Sequence, residues 1–294
     1  MIRLALNPDT TPLSISDTLV FKSTAQRVRE AAEAGFAAVN VDEEEGLTAE
    51  DARRILHEYR MEVASGFFHG AFYLPGEEDR IYDAAKAKAE FAQALGQRFL
   101  FVSALVSPPE RRAIAGRVRP DEPISLDDRQ FDRMARLLER IARLWRDYDV
   151  ELCYHPHAAT YVEAPHEIER LMETTDASLV RLGPDTGHLL YGGADPVALV
   201  ARYFSRVGAI HLKDARQAVL DRVRLEKLNY REACARGVWT ELGTGDVDFP
   251  ALFELLRQKA WSGWVIVETD HTQLATALES SRVSRRYLRD TYDL

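Results

Sequence analysis

Cysteine is nearly absent from this chain. Its two copies, Cys153 and Cys234, stand far apart without a CxxC spacing. That excludes a disulfide framework and a thiolate-based structural zinc site, and it fits a reducing compartment. Long apolar runs are missing as well. No stretch of about 18 apolar residues suggests a membrane span, and the opening MIRLALNPDT is too short in apolar residues for a secretory signal. A cytoplasmic location is the expectation. Net positive charge is lacking too: the formal charge is −9, with acids and bases interspersed, which argues against a broad nucleic-acid surface. No glycine-rich dinucleotide fingerprint follows the first apolar run, and there is no low-complexity segment.

What the chain does have is alternation. Short apolar runs occupy residues 2–6, 37–41, 62–68, 98–105, 150–157, 179–185, 207–214 and 264–270. Helical patterns follow them at 23–36, 48–60, 77–96, 128–148, 164–175, 195–206, 249–261 and 273–287. Ser23 or Thr24 starts the first helix and Gly35 stops it, while Gly96 stops the third. Residues 106–126, with several prolines and basic residues, read as a long loop. Strict strand–helix alternation implies parallel strands joined by right-handed crossovers. Eight units closing on themselves give an α/β fold of the (β/α)8 TIM-barrel type, a single domain over 1–294, with a helical insertion at about 215–240 after strand seven. A doubly wound open sheet is the alternative; the strand count favours closure.

In such a barrel the chemistry sits at the C-terminal ends of the strands. Strand three ends near His69, strand five with His155 and His157, and strand six with Asp185, followed by His188. Strand seven carries His211, with Lys213 and Asp214 beyond, and strand eight ends with Glu268 and Asp270. Period-two alternation places Cys153, His155 and His157 on one face, Ala209, His211 and Lys213 on another, and Ile266 with Glu268 on a third. Two imidazoles and two carboxylates converging at the mouth suit a divalent ion such as Mn²⁺, Co²⁺, Fe²⁺ or Zn²⁺. Plainer roles compete. Asp185 could cap the next helix or turn, and Lys213 could pair with Asp214 or a nearby acid. His57 and His166 fall in helical segments and read as solvated; His271 reads as loop.

The stretches YHPHAATYVE, PDTGHLLYGGADP, IHLKDAR, ELGTGDVDF and GWVIVETD resemble the xylose-isomerase-like TIM-barrel superfamily of sugar isomerases and epimerases. Within it the chain is most similar to the inosose dehydratase branch. The resemblance implies a divalent metal, Mn²⁺ or Co²⁺, on His155, Asp185, His211 and Glu268. His155 stands where many members have a glutamate, so one of the two acid/base glutamates of ketose epimerases is missing. Substrate contacts are implied for His157, His188 and Glu163; Lys213, His69 and Arg216 are further candidates. The substrate expected is a small cyclic keto-polyol or keto-sugar. The metal would polarise its carbonyl while Glu268 or His157 removes the neighbouring proton. Loss of a β-hydroxyl then gives dehydration, and return of the proton to the adjacent carbon gives isomerisation or epimerisation. A non-catalytic polyol-binding protein is the rival from another class. The insertion is expected to cover the substrate or pack on a second subunit of a homo-oligomer.

Overall fold

The computed structural model describes residues 1–16, 18–104 and 108–294. Eight strands surround one axis: β1 (Ile2–Asn7), β2 (Ala38–Val39), β3 (Glu62–Val63 with Phe67–His69), β4 (Phe99–Ser103), β5 (Glu151–Tyr154), β6 (Val180–Leu182), β7 (Ile210–Leu212) and β8 (Gly263–Glu268). Each neighbouring pair runs parallel, and β1 pairs with β8 along its whole length, from Ile2 opposite Gly263 to Asn7 opposite Glu268. The chain is a (β/α)8 barrel, as the alternation predicts.

The wall is made of two arcs. One runs β3–β2–β1–β8–β7 and the other β3–β4–β5–β6. They share β3, which the sequence presents as one run and the structure splits. Glu62–Val63 pairs with β2 and Phe67–His69 pairs with β4. Gly66 lies in the break, where a Cβ would meet the Asp42 carboxylate and the Val41 carbonyl oxygen, each at 2.8 Å. The arcs meet again between β6 and β7, through single bridges from Leu182 to Val207 and from Asp185 to His211.

Inward side chains fill the lumen with small residues and two phenylalanines: Ala5, Ala38, Ala64, Phe99, Phe101, Cys153, Ala209 and Ile266. Outward ones pack against the helices in two larger clusters. Helix starts follow local chemistry. Ser23 closes a capping box on Thr24–Glu33, Thr48 does so on Ala49–Glu58, and Asp127 on Asp128–Arg146. The last helix runs Ala277–Tyr292, later than the sequence pattern suggests. None of the described helices is long and apolar enough to cross a membrane.

Three further expectations change. The expected fourth run reaches residue 105 and the loop begins at 106; residues 105–107 lie outside those described. The rest of that loop contains a short helix, Pro109–Ala113. The stretch after Asp185 is not a turn but a helix, Thr186–Tyr191. His271 is buried and belongs to a two-residue strand, His271–Thr272, paired with Thr11–Pro12. Between β7 and the helix Phe249–Gln258 the chain makes a small excursion. Asp214–Ala215 and Trp239–Thr240 form an antiparallel base, and Gln217–Glu226 and Tyr230–Ala235 form two helices on it.

Arg111, in the short helix, is completely buried. It pairs with Glu167 at 2.7 Å and donates to the Thr160 carbonyl oxygen at 2.7 Å. Glu167 in turn accepts from the amides of Glu163 and Ala164 at 3.1 and 3.0 Å. The network fixes the loop that follows His157. Removing one member strands a buried charge, so Glu167→Ala is expected to cost about 3–5 kcal/mol, read as a lower urea midpoint.

Candidate metal centre and active site

Above the lumen, the ends of β5, β6, β7 and β8 bring His155, Asp185, His211 and Glu268 together. One ligand atom from each lies within 4.8 Å of the others. The Phe101 ring forms the floor, with its centroid 4.1 Å from His211 and 5.6 Å from His155. Asp185 combines the two roles its position allowed. One oxygen caps the helix Thr186–Tyr191 by accepting from the His188 amide at 2.9 Å. The other points into the cluster and has no hydrogen-bond partner.

That orphaned oxygen is not alone. His155 Nδ1 and His211 Nε2 are also buried without a partner. Unpaired buried polar atoms are uncommon and costly, and here three of them belong to one cluster. Two imidazoles with two carboxylates are an ordinary donor set for a divalent cation, and His211 turns its Nδ1 toward Glu268 at 2.7 Å and toward Asp185 at 3.7 Å. The protonation tendencies of His155 and Glu268 agree, while that of Asp185 runs the other way. Burial, helped by His211 and His157, pushes His155 well below the usual histidine range, toward the neutral form that binds metals. Burial raises Glu268, but Lys213 and His211 outweigh it and hold its carboxylate ionised well below the ordinary range. Burial pushes Asp185 up, with Glu268 adding to the rise and Lys213 opposing it.

Lys213 sits behind this cluster. Its buried ammonium lies 2.6 Å from Asp270, 3.0 Å from His188 Nε2, 3.2 Å from Glu268 and 3.5 Å from Asp185. Burial works against its charge, yet Asp185, Asp270 and Glu268 outweigh burial and keep it protonated. Its partners are these acids rather than Asp214, whose carboxylate accepts from the amides of Gly243, Gly245 and Val247. His157, His188 and Asp270 form a second group with metal-ligand spacing. The ammonium already supplies the positive charge there.

A cavity of about 560 Å³ opens over the cluster. His69, His155, His157, Glu268 and Asp270 line it, together with Asn7, Asp9, Arg27, Asp42 and Lys88 from the β1–β3 side. Asp185, His188, His211 and Lys213 lie a layer deeper, each at most 1% exposed. His157 Nδ1 is 2.7 Å from the Ala158 carbonyl oxygen. Only a donor suits that contact, so Nδ1 carries the proton and Nε2 keeps a free lone pair. His188 stacks behind His157, ring centroids 3.7 Å apart.

Besides His188 and Lys213 in the deeper layer, two more expected substrate residues are not brought to the cavity. Glu163 is buried below the loop, accepting from the amides of Gly116 and Ala159, and burial pushes it up to about 7. Arg216 sits at the base of the insertion, bonded to the Gly237 carbonyl oxygen and to Thr240 Oγ1. Both share a motif with site residues, but Glu163 is engaged by backbone amides and Arg216 by a carbonyl oxygen and a threonine hydroxyl. The insertion instead contributes Tyr230, whose hydroxyl donates to Asp270 at 3.1 Å, and Trp239, whose ring centre is 5.3 Å from the Lys213 ammonium. Asn7, Asp9 and Asp42 were missed, although they too stand at strand ends.

The family model for xylose isomerase-like TIM barrels matches residues 28–291. Among curated proteins, an inosose dehydratase of Geobacillus kaustophilus is 36% identical over 250 residues, covering 83% of this chain and 79% of its own. One from Mesomycoplasma hyopneumoniae is 30% identical over 269 residues, covering 90% and 87%. Solved structures share the fold at low identity. A sugar phosphate isomerase/epimerase from Parabacteroides distasonis superposes with TM-score 0.71 at 15% identity, over 99% of this chain and 94% of its own. A probable 3-DHS dehydratase from Bacillus anthracis gives 0.70 at 14%, over 98% and 99%.

Gly187, in the TGH turn of helix, illustrates how tightly the deep layer is built. A Cβ there would lie 2.7 Å from Lys213 Cγ and 3.1 Å from its carbonyl oxygen. Glycine is required by this close approach. Gly187→Ala is expected to destabilise the protein by about 1–3 kcal/mol through overpacking, measured by urea unfolding.

Proposed function

Since the chain belongs to the xylose isomerase-like TIM-barrel family, we propose that it is a divalent-metal-dependent lyase that removes water from an inosose or a related cyclic keto-polyol. The observation that carries this reading is the convergence of His155, Asp185, His211 and Glu268, one ligand atom of each within 4.8 Å of the others, beneath a polar cavity. Together with Glu268 these residues would hold the ion, Mn²⁺ or Co²⁺ by the resemblance to metal-dependent relatives. When bound, it supplies Lewis-acid polarisation of a substrate carbonyl.

The chain's own residues do the rest. His157 faces the cavity with a free Nε2 lone pair and takes the proton from the carbon next to the carbonyl. Glu268 is engaged by Asn7, His211 and Lys213, which suits a ligand better than a mobile base. Lys213 keeps the deep carboxylates charged and in place rather than reaching substrate, and Asp270 anchors it.

The charge of the lining supports a neutral substrate. Asp9, Asp42, Glu43, Glu44, Glu268 and Asp270 outnumber Lys22, Arg27 and Lys88. Each of those cations is paired with an acid, at 2.7 Å for Lys22–Glu30 and 3.0 Å for Arg27–Asp9 and Lys88–Asp42. Among the described lining residues no unpaired cation stands ready for a phosphate or carboxylate. A polyol ring, whose hydroxyls donate to acids, fits better.

The test is incubation of Mn²⁺-loaded protein with 2-keto-myo-inositol and a panel of ketoses in D₂O, followed by NMR. Loss of water with deuterium exchange at the α carbon is expected. His157→Gln should slow both by about 10²–10⁴-fold, and Glu268→Gln should abolish metal-dependent turnover. Exchange with an isomerised product and no dehydration would point to an isomerase or epimerase. Binding without exchange would point to a polyol-binding protein.

A further inference from the structure

On the opposite side of the mouth from His157 lies a carboxyl group that the reading above leaves unused. Asp9 follows β1, half a barrel away from β5, and both residues line the cavity. Asn7, two residues earlier, is the register partner of Glu268, and the Thr11 amide, two residues later, donates to the Asp270 carbonyl oxygen at 2.9 Å. Asp9 is therefore held beside the Glu268–Asp270 segment.

Its two oxygens differ. Oδ2 is 3.0 Å from the Arg27 guanidinium. Oδ1 is buried and has no partner. Asp42, the other carboxylate on the same guanidinium, is saturated. It accepts from the Phe67 amide at 2.5 Å and from Lys88 at 3.0 Å, and lies 3.6 Å from Arg27. One acid of the pair is committed to staying ionised, and the other keeps an oxygen in reserve.

We propose that Asp9 is the acid that protonates the departing β-hydroxyl of the substrate. This inference rests on the dehydratase reading. A carboxyl group with one oxygen fixed by an arginine and the other unpaired can hold a proton there and present it to a substrate oxygen. The groups facing Asp9 favour that state. Burial pushes it up to about 6 against the pull of Arg27, with Asp42 and Glu268 adding to the rise and Lys22 opposing it. Asp42, with Lys88 and Arg27 outweighing its burial, is held below the usual range. Two neighbouring acids driven apart in this way mark a division between proton donor and permanent charge.

The step balances without a co-reactant. The base takes the α-proton, and the pair left on carbon becomes the new C=C bond as the β C–O bond breaks. The leaving oxygen departs with its bonding pair, takes the Asp9 proton and leaves as water. Solvent reprotonates Asp9, and the base returns its proton to solvent. Acid and base reach the ring from opposite strands, so neither must move between steps.

Asp9→Asn keeps the shape and the Arg27 contact but has no acidic proton. With Mn²⁺-loaded protein and 2-keto-myo-inositol in D₂O, α-deuterium exchange is expected within about threefold of wild type while dehydration falls about 100-fold or more. Formate should restore part of the dehydration in Asp9→Ala. Dehydration by Asp9→Asn within about threefold of wild type would overturn the assignment, and so would parallel loss of exchange and dehydration. Wild-type protein that exchanges without dehydrating would overturn it too, leaving the proton-abstraction reading intact. Wild-type protein that does neither would remove both.

Discussion

The site depends on a single buried cation. Lys213 has its ammonium out of reach of water, where a charge survives only among opposite charges and good acceptors. Asp270, Glu268 and Asp185 provide them, and each comes from a different place: the turn after β8, the end of β8 and the end of β6. Satisfying that one ammonium aligns the strands on either side of it. It also explains the glycine at 187, since the lysine stem lies where another residue's Cβ would be. Tyr230 and Trp239 tie the insertion to the same centre through Asp270 and the ammonium. The deep layer is thus one electrostatic unit built from four segments of the chain.

Much of this was legible in the sequence because it rests on two short rules. Strand–helix alternation predicted the barrel, the strand-end rule predicted histidines and carboxylates at its mouth, and the family resemblance singled out His155, Asp185, His211 and Glu268 among them. The rules failed where a residue's direction depends on tertiary contacts. Glu163 and Arg216 sit in stretches that resemble site motifs, but their side chains bond to neighbouring backbone, which spacing alone does not reveal. Asn7, Asp9 and Asp42 obey the strand-end rule as well as the histidines do. Gly187 is a requirement for space that only the packed structure reveals.

The arrangement divides labour by depth. The deepest layer holds Asp185, His211 and Lys213, all buried, with opposite charges side by side. Above it, His155 and Glu268 belong both to the cluster and to the cavity wall. The outer wall is contributed by β1 to β3 and is rich in acids, with Arg27 bonded to Asn7, Asp9 and Asp42 at once. Asn7 then donates to Glu268 at 2.6 Å. A chain of contacts therefore runs from the acidic rim to the carboxylate at the cluster. Changes in the rim can reach the chemistry without touching substrate.

The barrel wall has one thin place, the junction of β6 and β7, where only single bridges join the two arcs. Asp185 and His211 are the two residues of one of those bridges, and across it His211 Nδ1 lies 3.7 Å from Asp185 Oδ2. An ion held there would act as a rivet across the gap as well as a reagent. Loading it would clamp the cylinder shut at its weakest stave, so the fold and the chemistry would gain their firmness from the same event.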